Sequence, residues 1–142
     1  MKGNNVIVSS IIAKIITPYI LLFALYIQIN GEVSPGGGFQ AGSILASAII
    51  GYDSIYPQQL VRHKLAILPL SIIATLGVMI YGLTGLLALL YGKNYLNYNV
   101  ITFSYDSQSL GIFIVELGVG IAVTASLLII YYLFVINYDT NQ

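Results

Sequence analysis

An all-α integral membrane bundle of four transmembrane helices, with both termini cytoplasmic, is the fold class this sequence predicts, and three observations predict it. Of the 142 residues, 58% are apolar and only 7% are charged, whereas a soluble globular domain carries about a quarter charged residues. The mean hydropathy is +0.89. The apolar residues gather into four runs, each near the roughly 20 residues that carry a helix across about 30 Å of hydrocarbon. In lipid no water satisfies backbone donors and acceptors, so each run must be helical and an open sheet cannot sit there. No internal repeat divides the chain, so 1–142 reads as a single transmembrane domain.

The same composition removes several function classes. Five basic and five acidic residues leave no basic patch for nucleic acid and no polyanionic tail. Without cysteine there is no disulfide framework, thiolate nucleophile, iron-sulfur cluster or zinc-thiolate site. The single histidine, His63, stands between Arg62 and Lys64 in a short loop and reads as solvated. No serine, histidine and aspartate set supports hydrolysis. The chain by itself is therefore expected to be no enzyme and to need neither metal nor cofactor.

The first span, 6–29, is longer than the 7–15 residue core of a typical secretory signal and lacks an A-x-A cleavage pattern, so it reads as retained. Lys14 lies inside it, where a charge at helix centre costs roughly 2.5–3.5 kcal/mol on insertion scales. Either its long stem lifts the ammonium to the cytoplasmic boundary, or the ammonium meets a polar group within the bundle or on a partner. The second span, 39–56, is the shortest. It runs back toward the cytoplasm, which brings Asp53 to the depth of Lys14, and the two are expected to pair directly or through water. Gly38, Gly42 and Ala46 form one small-residue stripe, with Ser43, Ser47 and Gly51 on an adjoining face. Such stripes let backbones approach closely, and two of them give this span more than one neighbour. That argues for an assembly larger than four helices, unless packing within the chain accounts for both.

The third span, 65–91, contains Pro69, as the first contains Pro18; each removes a backbone donor and marks a kink or an early-helix position. The connection 92–109 is rich in asparagine, tyrosine and serine, and its apolar patch 100–103 reads as a short surface strand or turn. The fourth span, 110–135, carries the stripe Gly118, Ala122, Ser126 and, about two turns in, Glu116. A carboxyl group among Ile112, Phe113, Val119 and Gly120 cannot snorkel. It needs a proton, a cation or a hydrogen bond to offset its charge, which makes Glu116 either a proton or cation carrier or a neutral group bonded to a neighbouring helix. Lys14 and Glu116 fall toward opposite membrane faces, so they are not expected to form one ion pair.

Positive residues near span ends set the orientation: Lys2, Arg62 and Lys64 on one side against Lys93 on the other place both termini in the cytoplasm. Tyr91, Tyr95, Tyr98 and Tyr105 then form an outer aromatic belt, and Tyr52, Tyr56, Tyr131, Tyr132 and Tyr138 an inner one. Between the first two spans, Ser34 reads as a helix cap with Pro35 at the first helical position, followed by Gly36, Gly37, Gly38 and Phe39. Gly36, Gly38 and Ala41 formally fit a dinucleotide pattern, but no strand precedes them and that reading is rejected. Two readings remain. One is a tight turn that lets the second helix dock on another backbone; the other is a polar niche at a helix N-terminus that holds an anion or water.

Lys14, the long aliphatic first span ending at Gly31, the run Pro35-Gly36-Gly37-Gly38-Phe39, and the string Glu116-Leu117-Gly118-Val119 together resemble the B-type small subunit of the multisubunit Mrp/Mnh-type Na+/H+ antiporters. The resemblance covers nearly the whole chain. It departs at Glu32 and Val33, where many members have histidine and asparagine, and at Glu116, where an aspartate is frequent. It implies a small component of a hetero-oligomeric complex in a bacterial or archaeal cell (inner) membrane that exchanges sodium or another monovalent cation for protons. Partners would include large subunits resembling the proton-pumping subunits of respiratory complex I. On that view Lys14, Glu116 and Asp53 are the ion-pathway candidates, and Pro35 to Phe39 form the docking loop. A membrane-bound hydrogenase-type complex and a homo-oligomeric channel or scaffold are the alternatives.

Overall fold

A computed structural model describes residues 2–31, 35–55, 63–98 and 107–140. These form four helices: α1 (Lys2–Ile29), α2 (Gly38–Ile55), α3 (His63–Leu90) and α4 (Ser107–Thr140). Each expected span lies within a few residues of one of them. By length and apolar content three stretches are able to cross a membrane, Val8–Ile29 in α1, Ile67–Leu90 in α3 and Gln108–Val135 in α4. Pro18 and Pro69 lie inside α1 and α3 without ending them. The Ser34 cap, the Tyr56 and Tyr105 belt positions, Arg62 and the patch 100–103 lie outside the described residues.

Successive helices run antiparallel, so α2 and α4 are parallel. Gly38 meets Glu116, Gly42 meets Gly120, and the Ser54 hydroxyl lies 3.3 Å from that of Tyr131. Among the described residues α1 packs chiefly on α2, α2 on α4, and α4 on α3, while α3 reaches neither α1 nor α2. The helices therefore stand in a row, α1-α2-α4-α3, rather than closing around a shared axis. The buried apolar residues are accordingly mostly alanines at the three seams, Ala41, Ala46 and Ala125 among them, and the large side chains, such as Leu22, Leu76 and Phe134, point outward. Small-sided seams and apolar outer faces suit a protein whose solvent is lipid or a neighbouring protein.

The first small-residue stripe of α2 is packed inside the chain, and the second borders an open groove against α1. Gly38, Gly42 and Ala46 face α4, while Ser47, Ala48 and Gly51 line a groove with Ser9, Ala13 and Ile16 of α1. Within the chain α2 thus has two neighbours, α1 and α4, while Ser47 and Gly51 of the second stripe stay exposed. The α4 stripe divides. Gly118 and Ala122 meet Gly77 of α3, whereas Ser126 is exposed.

After α3 the chain turns sharply. Gly92, at φ +68°, closes the helix: its amide donates to the Leu89 carbonyl at 2.9 Å, and the Lys93 amide donates to that of Ala88 at 3.0 Å, the paired bonds of a Schellman cap. A turn over 94–97 follows, closed by Asn97 N to Asn94 O at 3.0 Å, with Leu96 at φ 62°. It folds the connection back onto the helices. The ring of Tyr95 lies over Gly85 and that of Tyr98 over Gly111, so these tyrosines pack on protein as well as marking a boundary.

The α3–α4 seam is tested by a pair of alanine substitutions. A Cβ on Gly77 would stand 2.6 Å from the Gly118 carbonyl oxygen, whereas one on Gly82 would have nothing within 4 Å. Gly77→Ala is expected to cost about 1–3 kcal/mol, as overpacking does, and to lower the thermal midpoint in detergent. Gly82→Ala is expected to hold or raise it, because alanine is the better helix former.

Candidate functional site

The described residues gather buried polar groups at the two ends of the α2–α4 seam. At one end, α1 finishes at Ile29 and α2 starts at Gly38, and the glycines flanking these helix ends pass beside the third turn of α4, where Glu116 lies. A Cβ on Gly31 would fall on the Glu116 carboxyl group, and one on Gly37 would lie 3.0 Å from its Oε1. A Cβ on Gly38 would fall on the Glu116 backbone carbonyl. At Gly38, where the clash is with backbone, only glycine lets the chain pass this close.

The same glycines explain where α2 begins. The Ala41 amide donates to the Gly37 carbonyl at 3.0 Å, so Gly37 occupies the cap and Pro35 stands ahead of the helix, not at its first position. The first amides of a helix lack intrahelical acceptors and carry the positive end of its dipole. Glu116 lies against that end. Here α2 docks backbone to backbone on α4, and the polar group beside its N-terminus is a carboxyl side chain of the same protein.

Polar residues without an early signal complete this end. Gln28, less than one turn before Gly31, places Oε1 against Gly120, and its Nε2 is buried with no hydrogen-bond partner. Thr124 donates to the carbonyls of Gly120 at 2.7 Å and Gly42 at 3.1 Å, the second bond crossing the seam. A groove of about 230 Å³ opens between α1, α2 and α4, lined by Ala24, Gln28, Gly42, Gly120 and Thr124 among others. The spacing of four from Glu116 through Gly120 to Thr124 puts these residues on one helix face. That spacing was the available signal. Tyr98, outside the spans, has its pKa raised by burial and then by Tyr81, Tyr95 and Glu116.

At the other end, Asp53 lies in the last turn of α2 and is only 1% exposed. Neither of its carboxylate oxygens has a hydrogen-bond partner. Tyr131 and Tyr132 of α4 stand close enough to feel its charge. The pairing expected with Lys14, directly or through water, includes no direct hydrogen bond to either Asp53 oxygen. Asp53 continues the Gly42 and Ala46 face toward α4, seven residues on, whereas the groove against α1 is bordered by Ala48 and Gly51. Lys14 is exposed and follows Ala13, at the level of that groove. Lys14 lies 17 positions before Gly31, nearly all of them in α1 and spanning about 25 Å, which keeps it apart from Glu116 as expected. Among the described residues no three His, Asp or Glu side chains converge as metal ligands.

Comparison with known proteins matches residues 8–129 to a family model described as a domain related to the MnhB subunit of Na+/H+ antiporter. The chain is 33% identical over 106 residues to a Bacillus subtilis (strain 168) protein named as the B-type subunit of a Na(+)/H(+) antiporter, covering 73% of this chain and 69% of that one. It is 29% identical over 97 residues to a Staphylococcus aureus (strain Newman) protein named putative antiporter subunit mnhB2, covering 68% of this chain and 67% of that one.

Tyr98 gives this end a measurable pH signature. A phenol whose folded-state pKa is raised keeps its proton where the unfolded chain has lost it, so its contribution is full below the ordinary 10.0 and declines as pH rises past that value. Tyrosinate absorbance should contain a component that ionises above 10.0 and that Tyr98→Phe deletes. A deleted component centred at or below the ordinary value would contradict this.

Proposed function

This chain belongs to the MnhB family of Na+/H+ antiporter subunits, and we propose that it serves such an antiporter as a thin helical layer that joins larger subunits and handles charge at two ends of one seam. It is an MnhB-type component of a multisubunit Na+/H+ antiporter, a multi-pass membrane protein whose family transports ions rather than catalysing a reaction. Its partners are the other subunits of that antiporter. In our reading all four helices span the cell (inner) membrane of a bacterium or archaeon as one domain, with both termini cytoplasmic. The larger partners resemble complex I proton-pumping subunits.

One observation carries the transport role: the seat of Glu116 against Gly31, Gly37 and Gly38. A carboxylate there is stabilised by the positive end of α2. A proton or monovalent cation arriving at Glu116 cancels the charge that this end attracts. Occupancy then loosens the hold of α4 on the glycines, which links ion binding to the geometry of the α1–α2 connection. Lys14 and Asp53 are the other charge-handling candidates, away from this seat. Within the docking loop the roles divide, with Gly36, Gly37 and Gly38 turned inward and Pro35 and Phe39, the latter 66% exposed, offered to a partner protein.

Two variants of the intact complex test this. Glu116→Gln is expected to lower Na+/H+ exchange in everted vesicles by about tenfold or more, a loss of roughly 1.4 kcal/mol, and to displace its pH profile. An assembled Glu116→Gln complex with unaltered rate and profile rejects the transport role. Phe39→Ala is expected to leave the amount of this chain in the membrane unchanged while lowering the yield of partners recovered with it.

A further inference from the structure

A carboxylate removed from water is costly unless a hydrogen bond or a positive charge compensates it. Asp53 is 1% exposed and both its oxygens lack a hydrogen-bond partner. Its position adds to the cost, since the last turn of a helix carries the negative end of the dipole and favours cations. Glu116 sits at the opposite, positive end of the same helix. The α2–α4 seam therefore holds one carboxyl group where negative charge is welcome and one where it is not.

We infer that Asp53, with the neighbouring hydroxyls of Tyr131 and Ser54, is a second binding site in this chain, one that takes a single monovalent positive charge, a proton or a sodium-sized cation. The Tyr131 hydroxyl faces the carboxyl group, and that of Ser54 stands behind it. Ser54 Oγ donates to the Ile50 carbonyl at 2.8 Å and lies 3.3 Å from the Tyr131 hydroxyl, whose ring packs at 5.4 Å on that of Tyr132. Among the described residues, the titratable groups around the site are Tyr131 and Tyr132 from α4 and Tyr52 on α2 itself, with Lys14 at a similar level on α1. Among the described residues α3 does not reach α2.

The site is separate from the Glu116 seat. Tyr131 lies 15 positions beyond Glu116 on α4, about 22 Å of helix. The seam between them is closed by Gly42 against Gly120 and by the Thr124 bond to the Gly42 carbonyl. An ion or proton at Asp53 thus does not pass to Glu116 along the seam in this packing. The two groups are stations of different polarity, each served from its own end.

The inference rests on the antiporter reading only for its choice of ions, and its test does not require transport. Infrared difference spectra of the intact purified complex are recorded on exchanging choline for Na+ at fixed pH, and separately on changing pH in choline. One carboxyl band is expected to respond in one of these arms and to be missing in Asp53→Asn, which keeps the shape of the side chain without its charge. A response to Na+ identifies the cation; a response to pH alone identifies the proton. Tyr131→Phe, which removes one hydroxyl, is expected to move the midpoint of that band by about threefold or more, the scale of a single hydrogen bond. Should Asp53→Asn fail to assemble, the Tyr131→Phe shift decides. Spectra of Asp53→Asn that superimpose on the unmodified ones in both arms, or a Tyr131→Phe midpoint that does not move, overturn the inference. Loss of the band in Asp53→Asn with normal exchange in Glu116→Gln would leave this site standing and the Glu116 role refuted.

Discussion

The α2–α4 seam, where two helix backbones touch with almost no side chain between them, is the constraint from which the remaining geometry follows. Gly38 against the Glu116 carbonyl and Gly42 against that of Gly120 bring the parallel axes together. Because α2 is held so close, its N-terminus arrives beside the Glu116 carboxyl group, and Gly31 and Gly37 have to squeeze past that group. A larger residue at Gly38 would push α2 outward from the α4 backbone, and one at Gly31 or Gly37 would displace the carboxyl group itself. Close packing and electrostatics are here one feature.

The same closeness shapes the outer surface. Seams built from glycine and alanine leave the bulky aliphatic side chains nowhere to go but outward, so α1 and α3 present leucine, isoleucine and other large apolar groups to whatever surrounds the row. In water this would be an aggregation hazard. In a membrane complex it is ordinary, because lipid and neighbouring helices are equally apolar, and the specificity of assembly then falls to shape and to the few polar or aromatic side chains at the rims.

Helix number, extent and order were legible in the sequence, since the lengths of the apolar runs and the punctuation by Gly, Pro and Asn are local properties. The stripe of Gly38 and Gly42 also identified the face of α2 that meets α4. What stayed hidden was rotation and partnership. Lys14 and Asp53 share a depth, yet depth says nothing about which face of α2 carries Asp53, and that face follows from the seven-residue step beyond Ala46. Glu116 stood out as an ionisable residue in an apolar span, and the glycine run stood out as a backbone that wants close company. That each answers the other is a tertiary fact, since 78 positions separate Gly38 from Glu116. Gln28 escaped notice because one amide near the end of an apolar run resembles an interfacial residue until α4 is placed beside it.

A slab one helix thick has no deep interior. Its middle lies within roughly a helix radius, about 5 Å, of whatever rests on either side. The low dielectric that makes the two seam carboxyl groups potent is therefore partly borrowed: proteins or acyl chains resting on the slab complete the insulation. A neighbour that tilts away would admit water to both groups at once, altering their chemistry without touching a residue of this chain.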